Sequence, residues 1–233
     1  MSYKNPLIQE MYCEFFFDKL LANNEQQALV DFFREGFVDL ETDPIVGTAG
    51  KLALRYRLWN KDKTELLQFF NNRFSFNVIP KEGYNGWNDF KTKSLEFQEK
   101  VNEVIPTNKW KRVALCYVDG LNVKEDDKFS IGKYLNCSGP ILPEYLKNSN
   151  VATDLLIGKG DIEKELNHQI KIKINKTDKI NYNIRIETLV SRLIDNKKFD
   201  SILILEENHK ECIELFEGIF TEFTKNNVMG GTV

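Results

Sequence analysis

Reactive and metal-binding side chains are scarce in this sequence. It holds two histidines, His168 and His209, and four cysteines, Cys13, Cys116, Cys137 and Cys212, none in CxxC or CxH spacing. That spacing excludes zinc ribbons and redox pairs. At least three of the cysteines stand in apolar strand or helix contexts, where a buried, unreactive thiol is the usual state and a reducing cytoplasm the simplest setting. No window approaches the ~18 consecutive apolar residues that span a bilayer. The first residues, MSYKNPLIQEMYCEFFF, lack the uninterrupted apolar core and small-residue cleavage site of a secretory signal. A soluble cytoplasmic protein with no membrane partner is therefore expected. Excess charge of one sign is also missing. With 32 basic and 35 acidic residues and a net charge of -3, the molecule does not carry the field of a general nucleic-acid binder. Gly158-Lys159-Gly160 has neither GxxxxGK[ST] nor GxGxxG spacing, so it reads as a hairpin turn and not as a phosphate loop.

What the chain does have is apolar patterning. Its 233 residues are 42% hydrophobic and 12% aromatic, ample for a sizeable core, and the seventeen phenylalanines fall mostly at periodic positions, which assigns them to that core. A unit of three short alternating strands followed by an amphipathic helix recurs around residues 50–104 and 150–226.

Leu7 to Phe17 has strand propensity, and Asn24 with Gln27 reads as the cap of a helix bearing Leu29, Phe32, Phe33 and Phe37. Pro44, Gly47 and Gly50 mark a loop. Leu52, Leu54, Tyr56 and Leu58 then alternate with Ala53, Arg55 and Arg57. A turn at Asn60–Lys63, the run Leu67–Phe70, a turn at Asn71-Asn72 and the alternation of Phe74, Phe76 and Val78 complete a meander. Trp87, Phe90, Ser94, Phe97, Val101 and Val104 form one helical stripe, and Trp110 to Val123 rejoins the sheet. Beyond a boundary near 140–150, Ala152–Ile157, Ile170–Ile174 and Tyr182–Ile186 read as strands, with Gly158–Asp161 and Lys176–Lys179 as turns. Ser201–Leu205 reads as a buried strand, Asn208 and Glu211 as a capping box, and Cys212, Ile213, Phe216, Ile219, Phe220 and Phe223 as the apolar face of a last helix. The tail after Asn226 is expected to fray.

The segments Asn5-Pro6-Leu7-Ile8, Cys13-Glu14-Phe15, Gly86-Trp87-Asn88-Asp89-Phe90, RVALCYVDGL from Arg112 to Leu121, Gly139-Pro140-Ile141-Leu142-Pro143 and the closing Phe216–Thr224 stretch come in an order that resembles an uncharacterised, sporadically distributed prokaryotic family with chains of about 250 residues, one domain's length. The chain departs from it at Tyr117-Val118-Asp119, where members often read YIN, and at FTEFTKN, where an arginine-containing ending is common. The resemblance covers nearly the whole chain and implies a prokaryotic origin and a shared fold. It brings no catalytic residues and no cofactor.

Candidate chemistry is thin. Glu206, Glu207, His209, Glu211 and Glu214 form the densest ionisable cluster, with the spacing of a cation site, yet acids at a helix start serve the cap and the macrodipole equally well. His168 has no Ser or Cys nucleophile nearby in sequence. Asp119-Gly120 and Asp126-Asp127 read as turn residues. No catalytic residue, metal ligand or cofactor is assigned. The best surface candidates are basic. Lys171 and Lys173 share a strand face with Arg185, while Lys176 and Lys179 flank the adjoining turn. Arg55, Arg57 and Arg73 occupy the matching face of the first half. Such stripes suit a phosphate backbone or an acidic partner, and outward lysines also deter edge aggregation.

The expected fold is α+β, a largely antiparallel sheet in two similar lobes, residues 1–145 and 146–233, with the helices on one side. A ligand cavity beneath the last helix is the alternative arrangement. The expected function is a non-enzymatic cytoplasmic binding protein whose partner is a protein encoded nearby, in a toxin–antitoxin or antiviral, phage-defence operon. The defence setting rests on the sporadic distribution of the family resembled. The alternatives are a nucleic-acid binder using the basic sheet face and a metal- or His-dependent hydrolase.

Overall fold

The computed structural model describes residues 7–46, 52–81, 86–106, 109–124, 130–136, 152–161, 166–176, 181–194 and 200–231. In chain order these form β1 (Ile8–Phe17), α1 (Asn23–Phe33), β2 (Asp39–Val46), β3 (Leu52–Trp59), β4 (Glu65–Phe69), β5 (Arg73–Val78), α2 (Trp87–Val104), β6 (Trp110–Lys124), the single turn α3 (Ile131–Tyr134), β7 (Ala152–Asp161), β8 (Leu166–Lys176), β9 (Asn181–Leu193), α4 (Ser201–Ile219) and a π-helical turn, Thr224–Val228.

All nine strands join one sheet in the order β2-β3-β4-β5-β1-β6-β9-β8-β7, and every pairing is antiparallel. The recurring unit is β3-β4-β5-α2 and again β7-β8-β9-α4. Each meander steps inward from one side of the sheet to the central pair β1 and β6. The two halves fuse through β6 and β9, whose register runs unbroken from Arg112↔Leu193 to Lys124↔Asn181. The boundary at 145/146 lies outside the described residues.

Alternation assigns the two faces. Met11, Cys13, Phe15 and Phe17 of β1, Val113, Leu115, Tyr117 and Leu121 of β6, and Ile184, Ile186 and Val190 of β9 are buried on the side where the helices pack. α1 contributes Leu29, Val30 and Phe33, α2 contributes Phe90 and Val101, and α4 contributes Leu205 and Cys212 to the same core. Near the C-terminal end of α4, Ile219 and Phe220 close a second cluster with Leu121, Ile172, Ile174, Ile184 and Ile186. The last-helix stripe thus meets side chains: Phe216 and Phe220 lie 4.7 Å apart, and Phe223 packs edge-on against Tyr134.

Several local expectations are corrected. The segment around Pro44 belongs to β2, an edge strand, the one place in a sheet where a residue without an N–H is tolerated. β7 continues through Gly158–Asp161 because Gly158↔Gln169 to Asp161↔Leu166 extend its ladder. Ser201–Leu205 is helix and not strand. The Asp200 carboxylate accepts from the N–H groups of Ile202 and Leu203 at 3.0 and 3.1 Å and caps α4, leaving Ile202 and Leu203 exposed, Leu205 in the core and Ile204 half-buried against it. Asn208 is therefore mid-helix and caps nothing. α1 starts at Asn23 instead of after an Asn24 cap, and its Glu25 carboxylate takes the Ala22 N–H at 2.8 Å, one half of a capping box. The C-terminal tail does not fray at Asn226, since Met229 is fully buried and the Gly231 N–H reaches the Lys225 carbonyl.

Candidate functional site

The face of the sheet opposite the helices gathers most of the basic residues singled out in the sequence. Arg57, Arg73 and Arg185 occupy it at half-buried positions, with Arg55 beside them and Lys171 and Lys173 on β8. Almost every one is held by an acid on the same face. Arg55 Nε donates to Asp43 at 3.0 Å, Arg57 pairs with Glu41 at 2.9 Å, and Arg73 pairs with Glu14 at 2.7 Å. Arg185 lies between Glu10 at 3.5 Å and Glu187 at 3.2 Å, and Lys173 approaches Asp154 at 3.7 Å. Lys171 stands opposite Glu187 in the ladder. Aromatic rings add to this: the Arg73 guanidinium sits 3.8 Å from the Phe70 ring centre, and that of Arg57 covers Trp59, contacts that hold a cation without neutralising it. A polar chain runs across the middle, from Gln68 to Ser75 and Asn77 and on to Glu10. Lys176 is not part of this face. It pairs with Tyr182 in the ladder and lies over that ring on the helix side. Lys179 lies outside the described residues.

The acid-rich cluster of the last helix is split by the helix itself. Glu206 and His209 turn toward α2. There His209 stacks on Trp87, with ring centres 4.1 Å apart and planes 9° from parallel, and its Nδ1 lies 2.8 Å from the Tyr117 hydroxyl. Trp87 Nε1 and Lys91 both donate to Glu206. Burial holds His209 down at about 4, so the imidazole is neutral at physiological pH, while Lys91 and Trp87 hold Glu206 below its usual value. Glu207 and Glu211 turn the other way, toward β8 and β9. Arg192 approaches Glu207 and Glu211, each at 3.5 Å, and His168 Nε2 lies 3.1 Å from Glu211. The carboxylates therefore do not converge, and among the described residues no group of three His, Cys, Asp or Glu side chains is placed to hold a metal ion. Nor, among the described residues, does either histidine have an activated nucleophile. Cys13, Cys116 and Cys212 are buried free thiols, all pushed up by desolvation, the opposite of what a reactive thiolate needs.

One buried group departs from the turn that its Asp-Gly sequence suggests. Asp119 is not a turn residue: it lies within β6, 1% exposed, opposite Ile186 of β9 and diagonal to Thr188 on the helix side. Neither carboxylate oxygen of Asp119, nor the Thr188 hydroxyl, has a hydrogen-bond partner among the described residues. Desolvation without a compensating donor pushes Asp119 up to about 7, since burial disfavours the charged form. Asn208, also missed, is fully buried. It donates to the Val113 carbonyl at 3.3 Å and accepts from Arg192 Nε at 3.1 Å, tying α4 to β6 and β9. A polar letter at a buried helical position was its only sequence signal. No described helix is long and apolar enough to cross a membrane. Comparison with models of known protein families and with curated proteins finds no match for this chain.

Proposed function

We propose that the protein is a non-enzymatic binding protein of the cytoplasm that acts through a protein partner, with the open face of the sheet as its contact surface. The observation that carries this reading is the pairing of opposite charges across that face. A surface in which Arg55, Arg57, Arg73 and Arg185 already hold Asp43, Glu41, Glu14, Glu10 and Glu187 presents both signs in fixed positions. That suits a partner with its own mixed charges and suits a polyphosphate poorly, because cations committed to carboxylates release few counterions. Nine strands hydrogen-bonded side by side give these groups a rigid support. The resemblance to a sporadically distributed prokaryotic family supports a toxin-neutralisation or phage-defence operon as the setting, with the partner encoded next door.

The reading is tested by co-expressing the chain with its neighbouring genes and purifying it under native conditions. A stoichiometric complex that survives gel filtration, and that Arg185→Glu with Arg73→Glu weakens at least tenfold, is the expected result. Recovery of the free chain alone would defeat it. Tight binding to nucleic acid whose affinity falls steeply with salt and is lost in Lys171→Ala with Lys173→Ala would favour the nucleic-acid reading instead.

A further inference from the structure

The two edges of the sheet are built differently. β2 closes one edge with Asp39, Glu41, Asp43 and Pro44, charges and a missing N–H that deter strand addition. β7 closes the other with the run Leu155-Leu156-Ile157 and no proline. Leu156 is 64% and Ile157 46% exposed, and among the described residues β7 pairs with β8 alone. The internal repeat sharpens the contrast. β3 and β7 are the first strands of the two meanders, and the outer edge of β3 is covered by antiparallel β2 from Asp39↔Trp59 to Val46↔Leu52. Among the described residues no strand covers the equivalent edge of β7.

We propose that the strand completing this edge is β7 of a second copy, paired antiparallel about a two-fold axis through Leu156, so that two nine-stranded sheets become one. Two strands related by a two-fold axis perpendicular to the sheet pair residues of the same face, so the axis must pass through a residue position. Centred on Leu156, Leu156 meets Leu156 of the other copy and Leu155 meets Ile157 in both directions, while Asp154 faces Gly158. Centring on Ile157 sets Leu155 against Lys159, and centring on Leu155 sets Leu156 against Asp154. Only the Leu156 register matches the whole apolar run with itself. Growth stops at two copies, because the other edge of the described sheet is the blocked β2, and an isologous contact uses each β7 once. This contact leaves the open face free and stands apart from the partner binding proposed above.

Sedimentation velocity across a concentration series tests it. The full chain is expected to reach twice the mass of one chain, and Leu156→Lys to remain at one mass with an unchanged circular dichroism spectrum. Register is read by oxidation in a Cys137→Ser background. Leu156→Cys is expected to form a covalent dimer, since directly opposed residues lie ~4.5–5.5 Å apart at Cα, within disulfide reach. Leu155→Cys alone, offset from its own copy, is expected to stay uncrosslinked. Because Leu156 is exposed, the cysteine variant reports on contact even if the lysine variant misfolds. A chain that sediments as a monomer at its highest soluble concentration, or a dimer that does not crosslink through Leu156→Cys, overturns the proposal.

Discussion

The same strands present two faces in opposite physical regimes, and the difference shows where this protein spends its side chains on stability. On the covered face, Phe15 and Phe74 stack at 5.1 Å with planes 6° apart, Phe76 meets Phe90 at 5.6 Å, and beyond them Ile172, Ile174, Ile184 and Ile186 form a second, aliphatic core. The aromatic cluster fills the space between the first meander and α1 and α2. The isoleucines sit directly on the pleats, where β-branched side chains pack well. One residue along each strand the neighbours are Arg73, Arg185 and Lys173, held by ion pairs whose members keep a quarter or more of their surface in water in most cases, with the Phe70 ring also under Arg73. Burial of large apolar side chains is concentrated on one side. The other side buries only smaller apolar groups at its centre, Ala114, Cys116 and Val118, with Leu66, beneath its ion pairs.

If that contrast is right, the largest effect comes from the middle of the aromatic cluster. Phe74→Ala is expected to cost about 3–5 kcal/mol, against about 0.5–1.5 kcal/mol for Ile184→Val in the aliphatic core. Urea unfolding of both variants checks this. Equal costs would mean that the cluster relaxes around the lost ring and that the stacked geometry contributes little.

The seam between the cores gives a pH signature of a few kcal/mol at most. Asp119 ionises near 3.8 when unfolded and at about 7 when folded, so between those values the folded state binds the extra proton. Stability from this group is full below pH 4 and declines as pH rises to 7, by on the order of 1 kcal/mol per unit. His209 acts in the opposite direction. Its folded value of about 4 lies below the ordinary 6.5, so it costs stability as pH falls through that window. The two slopes partly cancel in the native chain, and the difference between native and Asp119→Asn isolates the carboxyl: the variant is expected to gain on the native protein steadily from pH 4 to 7. Parallel curves would show that water reaches Asp119.

Asn208→Ala is expected to cost about 1–3 kcal/mol, because it leaves the Val113 carbonyl and the Arg192 Nε without their buried partner. Thermal unfolding measures it. A cost below that of an exposed substitution on the same helix would mean that Arg192 turns to Glu207 and Glu211 without loss.

How much of this was legible follows from which signals are local. Alternation over Ile170–Ile174 and Tyr182–Ile186 and the stripe from Trp87 to Val104 fixed strands, faces and a helix correctly, since those patterns record which side chains are buried. The run Ile202–Leu205 misled because four apolar residues, two of them β-branched, look the same in a strand and in a first helical turn, and Asp200, the residue that decides between them, acts through backbone N–H groups. β2 was hidden by Pro44, which is compatible with a strand only at an edge, and edges are set by tertiary order. Lys171, Lys173, Arg185, Arg55, Arg57 and Arg73 lie on the face that alternation assigns them, whereas Lys176, expected in the turn, ends β8 at an even position that turns it to the helix side. Their neutralisation was not visible, because Glu10 and Glu14 come from a strand distant in sequence and Glu41 and Asp43 from β2, the strand that Pro44 hid. Asp119 was read as a turn because Asp-Gly usually is one, and only the β9 ladder reveals it as buried.

The smallest effect lies on the open face, and it tests the contrast most directly. A double-mutant cycle between Arg55 and Asp43, whose side chains are 30% and 36% exposed, is expected to return a coupling of about 0–1 kcal/mol that shrinks further at high salt, because water and ions compete for both groups. A weak coupling means that a partner's charged groups replace these ion pairs at little cost, as a contact surface requires. A coupling above about 2 kcal/mol would place the pair among desolvated, structural interactions, and the open face would then be a second stabilising layer of the fold instead of the surface through which it binds.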